Sequence, residues 1–241
     1  MNRHEETAVK FINGKLILIG LAALSAALPL FAQDSAVQEK LAAVKQSMAA
    51  NAQKLRQYQW TETTQLTLNG EQKPATQNSC QYGPDGKVQK TSMGPPPAQP
   101  SGGPLKKRMI EKKQAEMKDY MGDVKGVLAL YLPPDPQKME QVKQAGNLSV
   151  NPIPGAINLI FKNYVQPGDQ LTLTFDTTAK KVSAVNINTF MSDAKDAVTL
   201  LVQMASLPDG TNYAQQTTLN AAAKNLTVTT TNSNYQKLGG S

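Results

Sequence analysis

Apolar and polar residues alternate most cleanly between Ala156 and Phe190. Leu171, Leu173 and Phe175 stand between Thr172, Thr174 and Asp176, the period of two that a strand with one buried face requires. Pro167-Gly168-Asp169 and Thr178-Ala179-Lys180 fall where the alternation stops. The stretch therefore predicts three consecutive antiparallel strands joined by two tight turns. In the first of them Ile157, Leu159, Phe161 and Val165 are apolar on one face and Ile160 and Tyr164 extend the other, which places that strand inside a sheet.

The same period recurs on both sides. Tyr58, Trp60, Thr64, Leu66 and Leu68 share one side of a strand that Asn69-Gly70 reverses, a strong hairpin signal. Weaker polar strands are predicted at Pro74–Tyr82 and Lys87–Met93. Further strands come later, at Val198–Met204, Tyr213–Leu219 and Leu226–Tyr235. The last is mostly Thr and Asn, a composition suited to an edge.

Helical spacing appears in three places. Asp34–Arg56 carries Val37, Leu41, Val44, Met48 and Leu55 on one stripe, behind a Ser35–Gln38 capping box. Leu105–Leu132 places Leu105, Met109, Met117, Met121, Val124, Leu128 and Tyr131 on its apolar side. A shorter helix, Asp135–Ala145, continues that side with Met139. Gly122 and Gly126 weaken the long helix and point to a bend or a movable segment. Gly94–Pro104 is too rich in Pro and Gly to pack and reads as a semi-stiff loop.

The N-terminus changes the picture of where the chain goes. Arg3, Lys10 and Lys15 precede an apolar run, Leu16–Ala32, which ends before polar Gln33-Asp34-Ser35. That is the form of a secretory leader, with cleavage expected near Ala32, so export to a periplasm or beyond is expected. The expected organisation is residues 1–32 as signal peptide and residues 33–235 as one α+β domain. Within that domain, 94–104 form the loop and 105–145 a helical insertion; residues 236–241 form a flexible tail. The formal charge of +7 at pH 7 favours anionic partners without bearing on fold.

Two scarcities narrow the chemistry. Cys80 is the only cysteine, so no internal disulfide can form. His4 is the only histidine and lies in the leader, which removes the commonest general base and transition-metal ligand. Ser-His-Asp, Cys-His and imidazole or thiolate zinc sites are excluded, and no Walker A, G-x-S-x-G or EF-hand spacing occurs. No catalytic residue, metal or cofactor is assigned. An enzyme would need a carboxylate cluster such as Asp176 with Asp193 or Asp196.

The order is a helix, a few strands, a helical insertion, then a long run of meandering strands. It predicts an open, curved antiparallel sheet of about eight strands whose apolar face the helices cover. With strand pairs such as TLTFDTTAKKVSAVNI (Thr172–Ile187), this order resembles the periplasmic lipoprotein-carrier family and its half-barrel relatives. The resemblance covers most of Asp34–Tyr235. It implies a half-barrel that binds lipids or envelope components. In the family's carriers an arginine holds the helical lid; Arg56 and Arg108 are the only arginines after the leader, and neither is matched to that role.

Taken together, these features describe an exported, non-catalytic binding protein, acting as a monomer. It would hold an apolar ligand, a lipid or the acyl chain of a lipidated protein, between the sheet and the helices. Candidate wall residues are Trp60, Leu66, Met109, Met117, Met121, Leu171, Leu173 and Phe175. Lys106, Lys107 and Arg108 offer a transient contact with an anionic membrane surface. Nucleic acid is not expected as a partner, because no aromatic interleaves these charges and export conflicts with it. The alternative is a structural or protein-interaction module of the cell envelope with a filled core and no small ligand.

Overall fold

The three antiparallel strands expected between Ala156 and Phe190 are realised as part of a much larger sheet. A computed structural model of the protein describes residues 28–95 and 103–239; the expected leader thus lies mostly outside the described residues, as does most of the Pro/Gly loop. The chain divides into Met1–Gln38 and Glu39–Ser241, and the second unit carries the sheet. Its helices are α1 (Leu28–Leu55, shared with the first unit), α2 (Pro104–Leu128) and α3 (Pro136–Gln144). Its strands are β1 (Tyr58–Leu68), β2 (Glu71–Gln72), β3 (Thr76–Tyr82), β4 (Val88–Ser92), β5 (Leu148–Ile153), β6 (Ala156–Lys162), β7 (Gln170–Asp176), β8 (Lys181–Phe190), β9 (Ala197–Ser206), β10 (Asn212–Ala221) and β11 (Leu226–Lys237).

All the strands pair antiparallel in the order β4-β3-β1-β11-β10-β9-β8-β7-β6-β5, with β2 on β1. The sheet is an open half-barrel: β4 and β5 are its two edges and do not meet. It has eleven strands where about eight are expected from the pattern. One of the additions, β5, contains Pro152, which an edge strand tolerates because one row of its backbone groups faces away from the ladder. It also leaves β6 paired on both sides, inside the sheet as its two apolar faces suggest.

The last strand corrects an expectation. β11 is not an edge; it lies between β1 and β10, with Leu66 opposite Val228 and Thr64 opposite Thr230. Its threonines are β-branched and suit a strand, and across β1 the Thr64 and Thr230 hydroxyls approach to 3.4 Å. β11 also runs to Lys237, two residues into the expected tail, because Tyr58 and Gln59 supply partners for Lys237 and Gln236. A bulge at Asn234 (φ 54°) then returns Tyr235 to the side of Trp60.

α1 likewise begins at Leu28, ahead of the expected Ser35 cap. Leu, Phe and Ala of the apolar run are tolerable helix formers, and Pro29 falls in the first turn, where a missing N–H costs nothing.

The core sits on one face of β6–β9. Leu159, Phe161, Leu171, Leu173, Ile187 and Val198 are fully buried there beneath Leu41 and Val44 of α1, Val124 and Leu128 of α2, and Met139 and Val142 of α3. Each such side chain contributes about 1.5–3 kcal/mol by leaving water. Cys80 is buried on β3 opposite Trp60, and burial pushes its thiol up, as suits a packing residue.

A buried polar knot fixes the α2–α3 connection to the β6–β7 turn. The Asp169 carboxylate accepts the backbone N–H groups of Tyr164 (2.5 Å), Val165 (2.9 Å) and Gln166 (2.8 Å), and the Tyr131 hydroxyl as well. Tyr131 also pairs with the Thr189 hydroxyl at 2.8 Å, and the Tyr164 hydroxyl accepts the Asp135 N–H at 2.9 Å. Burial first, then the bond to Asp169, pushes the Tyr131 phenol well above its ordinary value.

At the other end of the sheet, α1 is tied to β10 by two bonds of 2.6 Å between the Asn51 amide and the Asn212 backbone. Beside them the Tyr58 hydroxyl donates to Asp209 at 2.6 Å. That bond, then the N–H of Thr211, holds the Asp209 carboxyl far below its ordinary value. A depressed folded-state value means that this stabilisation is fully present above the unfolded value near 3.8 and is lost as pH falls through the folded one. Asp209→Asn is therefore expected to reduce the acid sensitivity of folding: between pH 5 and pH 2 the urea midpoint of the variant should fall less than that of the wild type.

Candidate functional site

The inner face of the sheet is covered unequally. Under β6–β9 it is sealed by the helices, whereas Thr64 and Leu66 on β1, Val228 and Thr230 on β11 and Thr217 on β10 are only half-buried. Beyond them Tyr58, Trp60, Tyr82, Tyr213 and Tyr235 form an aromatic cluster, with Trp60 stacked on Tyr235 at 5.5 Å and 10°. The Trp60 indole N–H donates to Asn232 at 3.1 Å, which settles its polar end. Glu62, on the same face, is buried and paired with Lys90 of β4 at 2.6 Å.

α2 runs from this thinly covered region to the sealed one. Its C-terminal half packs through Met121, Val124, Val127 and Leu128. Its midpoint is pinned by Tyr120, whose hydroxyl donates to Asp196 at 2.8 Å while the Lys224 ammonium lies 5.4 Å from its ring centre. Burial first, then the bond to Asp196, pushes the Tyr120 phenol up to about 12. The N-terminal half is different: Leu105 is 81 % exposed and Met109 61 %. Lys106, Lys107 and Arg108 around them are exposed too.

Between that half of α2 and the tips of two hairpins lies a cleft of ≈ 670 Å³. Asn69 and Gly70 (φ 52° and 79°) turn β1 into β2 at one tip, and residues 222–225 form the other; the Asn69 N–H donates to the Asn225 carbonyl at 3.0 Å, joining them. Leu68, Ile110 and Met117 give the cleft its apolar lining, and Lys73, Lys113 and Lys224 its charged rim. Ile110, Lys113, Gln114 and Met117 recur at steps of three and four, so one side of α2 presents them all. The volume falls within the range of about 300–1,000 Å³ typical of small-ligand sites.

The eight candidate wall residues do not converge. Leu171, Leu173 and Phe175 are buried under the helices, Trp60 belongs to the aromatic cluster, and Met121 packs half-buried against the core. Met109 is exposed, Leu66 is half-buried on β1, and Met117 lines the cleft. Ile110 and Leu68 were not among the candidates. Ile110 stands seven residues before Met117, and continuing the Met117–Met121–Val124–Leu128 stripe backwards reaches it rather than Met109.

The carboxylates that an enzyme would need lie far apart. Asp176 pairs with Lys181 at the start of β8, and Asp196 follows the turn after Phe190 at its end. β8 is ten residues long, roughly 30 Å of strand between those ends. Asp176 accepts the N–H groups of Thr178 and Ala179 at 2.8 Å, which makes it a turn residue. Among the described residues no group of three His, Cys, Asp or Glu side chains is placed to hold a metal ion, and no helix is long and apolar enough to cross a membrane.

The fold and cleft define an open antiparallel half-barrel with a partly free helical cover. No family model matches the sequence, and no curated protein does. Solved structures similar to it include a DUF1329 family protein from Desulfovibrio piger, at 8% identity and a TM-score of 0.42, covering 85% of this chain and 95% of that one. A putative outer membrane lipoprotein-sorting protein domain from Vibrio parahaemolyticus has 9% identity and a TM-score of 0.39, over 85% and 94% of the two chains. A LolA superfamily protein from Nitrosomonas europaea has 10% identity and a TM-score of 0.38, over 81% and 94%.

Proposed function

We propose that the protein is an exported, non-catalytic binding protein that holds an apolar chain, from a lipid or a lipidated protein, in the cleft beneath α2. The observation that carries this reading is the division of α2. Its C-terminal half is built into the core, while its N-terminal half leaves an apolar-lined cleft of ≈ 670 Å³ against the β1 and β10–β11 tips. Each methylene withdrawn from water there contributes about 0.8 kcal/mol, so one acyl chain suffices for useful affinity. Of the candidate wall residues, Met117 lines the cleft, and Leu66 lies two residues from Leu68 on the same face of β1. The leader-like N-terminus supports a periplasmic or secreted location. Leu105 and Met109, exposed among Lys106, Lys107 and Arg108, suit brief contact with an anionic membrane during loading.

The sealed core under β6–β9 favours a second reading, an envelope interaction module with no small ligand. One experiment separates the two. Gentle purification followed by organic extraction and mass spectrometry should recover lipid, and an apolar fluorescent dye should bind the emptied protein and be displaced by fatty acid. Recovery of no lipid together with no dye binding would leave the interaction module.

A further inference from the structure

Resting on the cleft as the binding site, we infer that its ligand is an anionic amphiphile: an alkyl chain ending in a carboxylate or a phosphate. Three lysines converge on the rim from three different elements. Lys73 follows β2, Lys113 is on α2, and Lys224 ends the short turn before β11. Lys73 is paired with Glu71 at 2.8 Å, so an anionic head there would share or displace that partner, and Lys224 is held by the Tyr120 ring at 5.4 Å. Among the described residues no carboxylate pairs with Lys113. The one acidic residue in the lining, Glu116, lies 3.9 Å from Lys112, which is not part of the lining. Through Lys113 and Lys224 the rim therefore keeps an excess of positive charge around the Leu68, Ile110 and Met117 surface.

Such a site rewards both ends of an anionic amphiphile. The chain displaces water from the apolar lining, and the head adds charge-assisted hydrogen bonds to ammonium groups. A neutral amphiphile gains only the first contribution, and a cationic one loses by repulsion. The rim lysines are solvated, so each supplies up to about fivefold in affinity, and the three together about tenfold.

Displacement of a bound apolar dye at low ionic strength tests this, with oleate and oleyl alcohol as paired ligands of one chain length. The wild type should take oleate about tenfold more tightly than the alcohol. Lys73→Gln, Lys113→Gln and Lys224→Gln together should erase that margin, read as the ratio of oleate to alcohol affinity, while Lys113→Arg alone should keep it. Oleyl phosphate, of the same chain length, should hold a margin over the alcohol like that of oleate if a phosphate head serves as well as a carboxylate. Equal affinity for oleate and oleyl alcohol, or a margin that survives in the triple variant, would overturn the headgroup assignment while leaving the cleft as a binding site. Failure of both ligands to displace the dye would remove the cleft reading itself.

Discussion

Replacing Asp169 with alanine is expected to cost on the order of 4 kcal/mol of stability. The side chain is 2 % exposed and accepts three backbone N–H groups and the Tyr131 hydroxyl. Hydrogen bonds to a charged group are worth about 1.5–3 kcal/mol each, and water entering the gap restores part of the loss. Tyr131→Phe removes a single member of the set and should cost about 1–2 kcal/mol. Urea unfolding checks both: the midpoint should fall in that order while the slope stays constant, the mark of lost stability rather than altered compactness. The knot also joins the α2–α3 connection to the β6–β7 turn, so the double variant should lose less than the sum of the single changes.

The second large effect concerns binding. Ile110→Glu and Met117→Glu place a carboxylate against the apolar lining of the cleft and are each expected to weaken an alkyl ligand by about tenfold, since the chain must take the carboxylate out of water and the new charge competes with the ligand's head for the rim lysines. Stability should change little for Ile110→Glu, because α2 is largely exposed at that point. Leu173→Ala is expected to behave in the opposite way. Leu173 is fully buried in the core, so truncation should cost about 2–5 kcal/mol through the cavity it leaves and should leave ligand affinity unchanged. Dye-displacement titrations on the three variants, paired with thermal melts, read both quantities.

The sheet was legible in the sequence because a period of two leaves little choice. Leu171, Leu173 and Phe175 can face one way only, and Asn69-Gly70 and Pro167-Gly168-Asp169 mark where the chain must turn. Strand order was not legible in the same way. Thr and Asn on β11 fit an edge or a half-covered interior strand equally well, and only the pairing with both β1 and β10 decides between them. β5 was hidden by Pro152, whose cost vanishes at an edge.

The candidate site was legible only in part, for a related reason. An apolar residue on a strand serves a core and a ligand wall alike, so Leu173 and Leu66 look equivalent until the helices are placed. On α2 the same spacing rule admits both Met109 and Ile110, and the register that places Val124 and Leu128 in the core selects Ile110. The rim lysines were invisible as a group, because Lys73, Lys113 and Lys224 are distant in sequence and are gathered only where α2 lies against the two hairpins.

The most direct measurement uses a fatty acid carrying a mid-chain photoreactive diazirine, irradiated with the purified protein and mapped by peptide mass spectrometry. Adducts should concentrate on residues 68–73, 110–117 and 222–225 and should be competed by unlabelled oleate. Competed adducts within Leu171–Phe175, or none on α2, would contradict binding in the cleft beneath it.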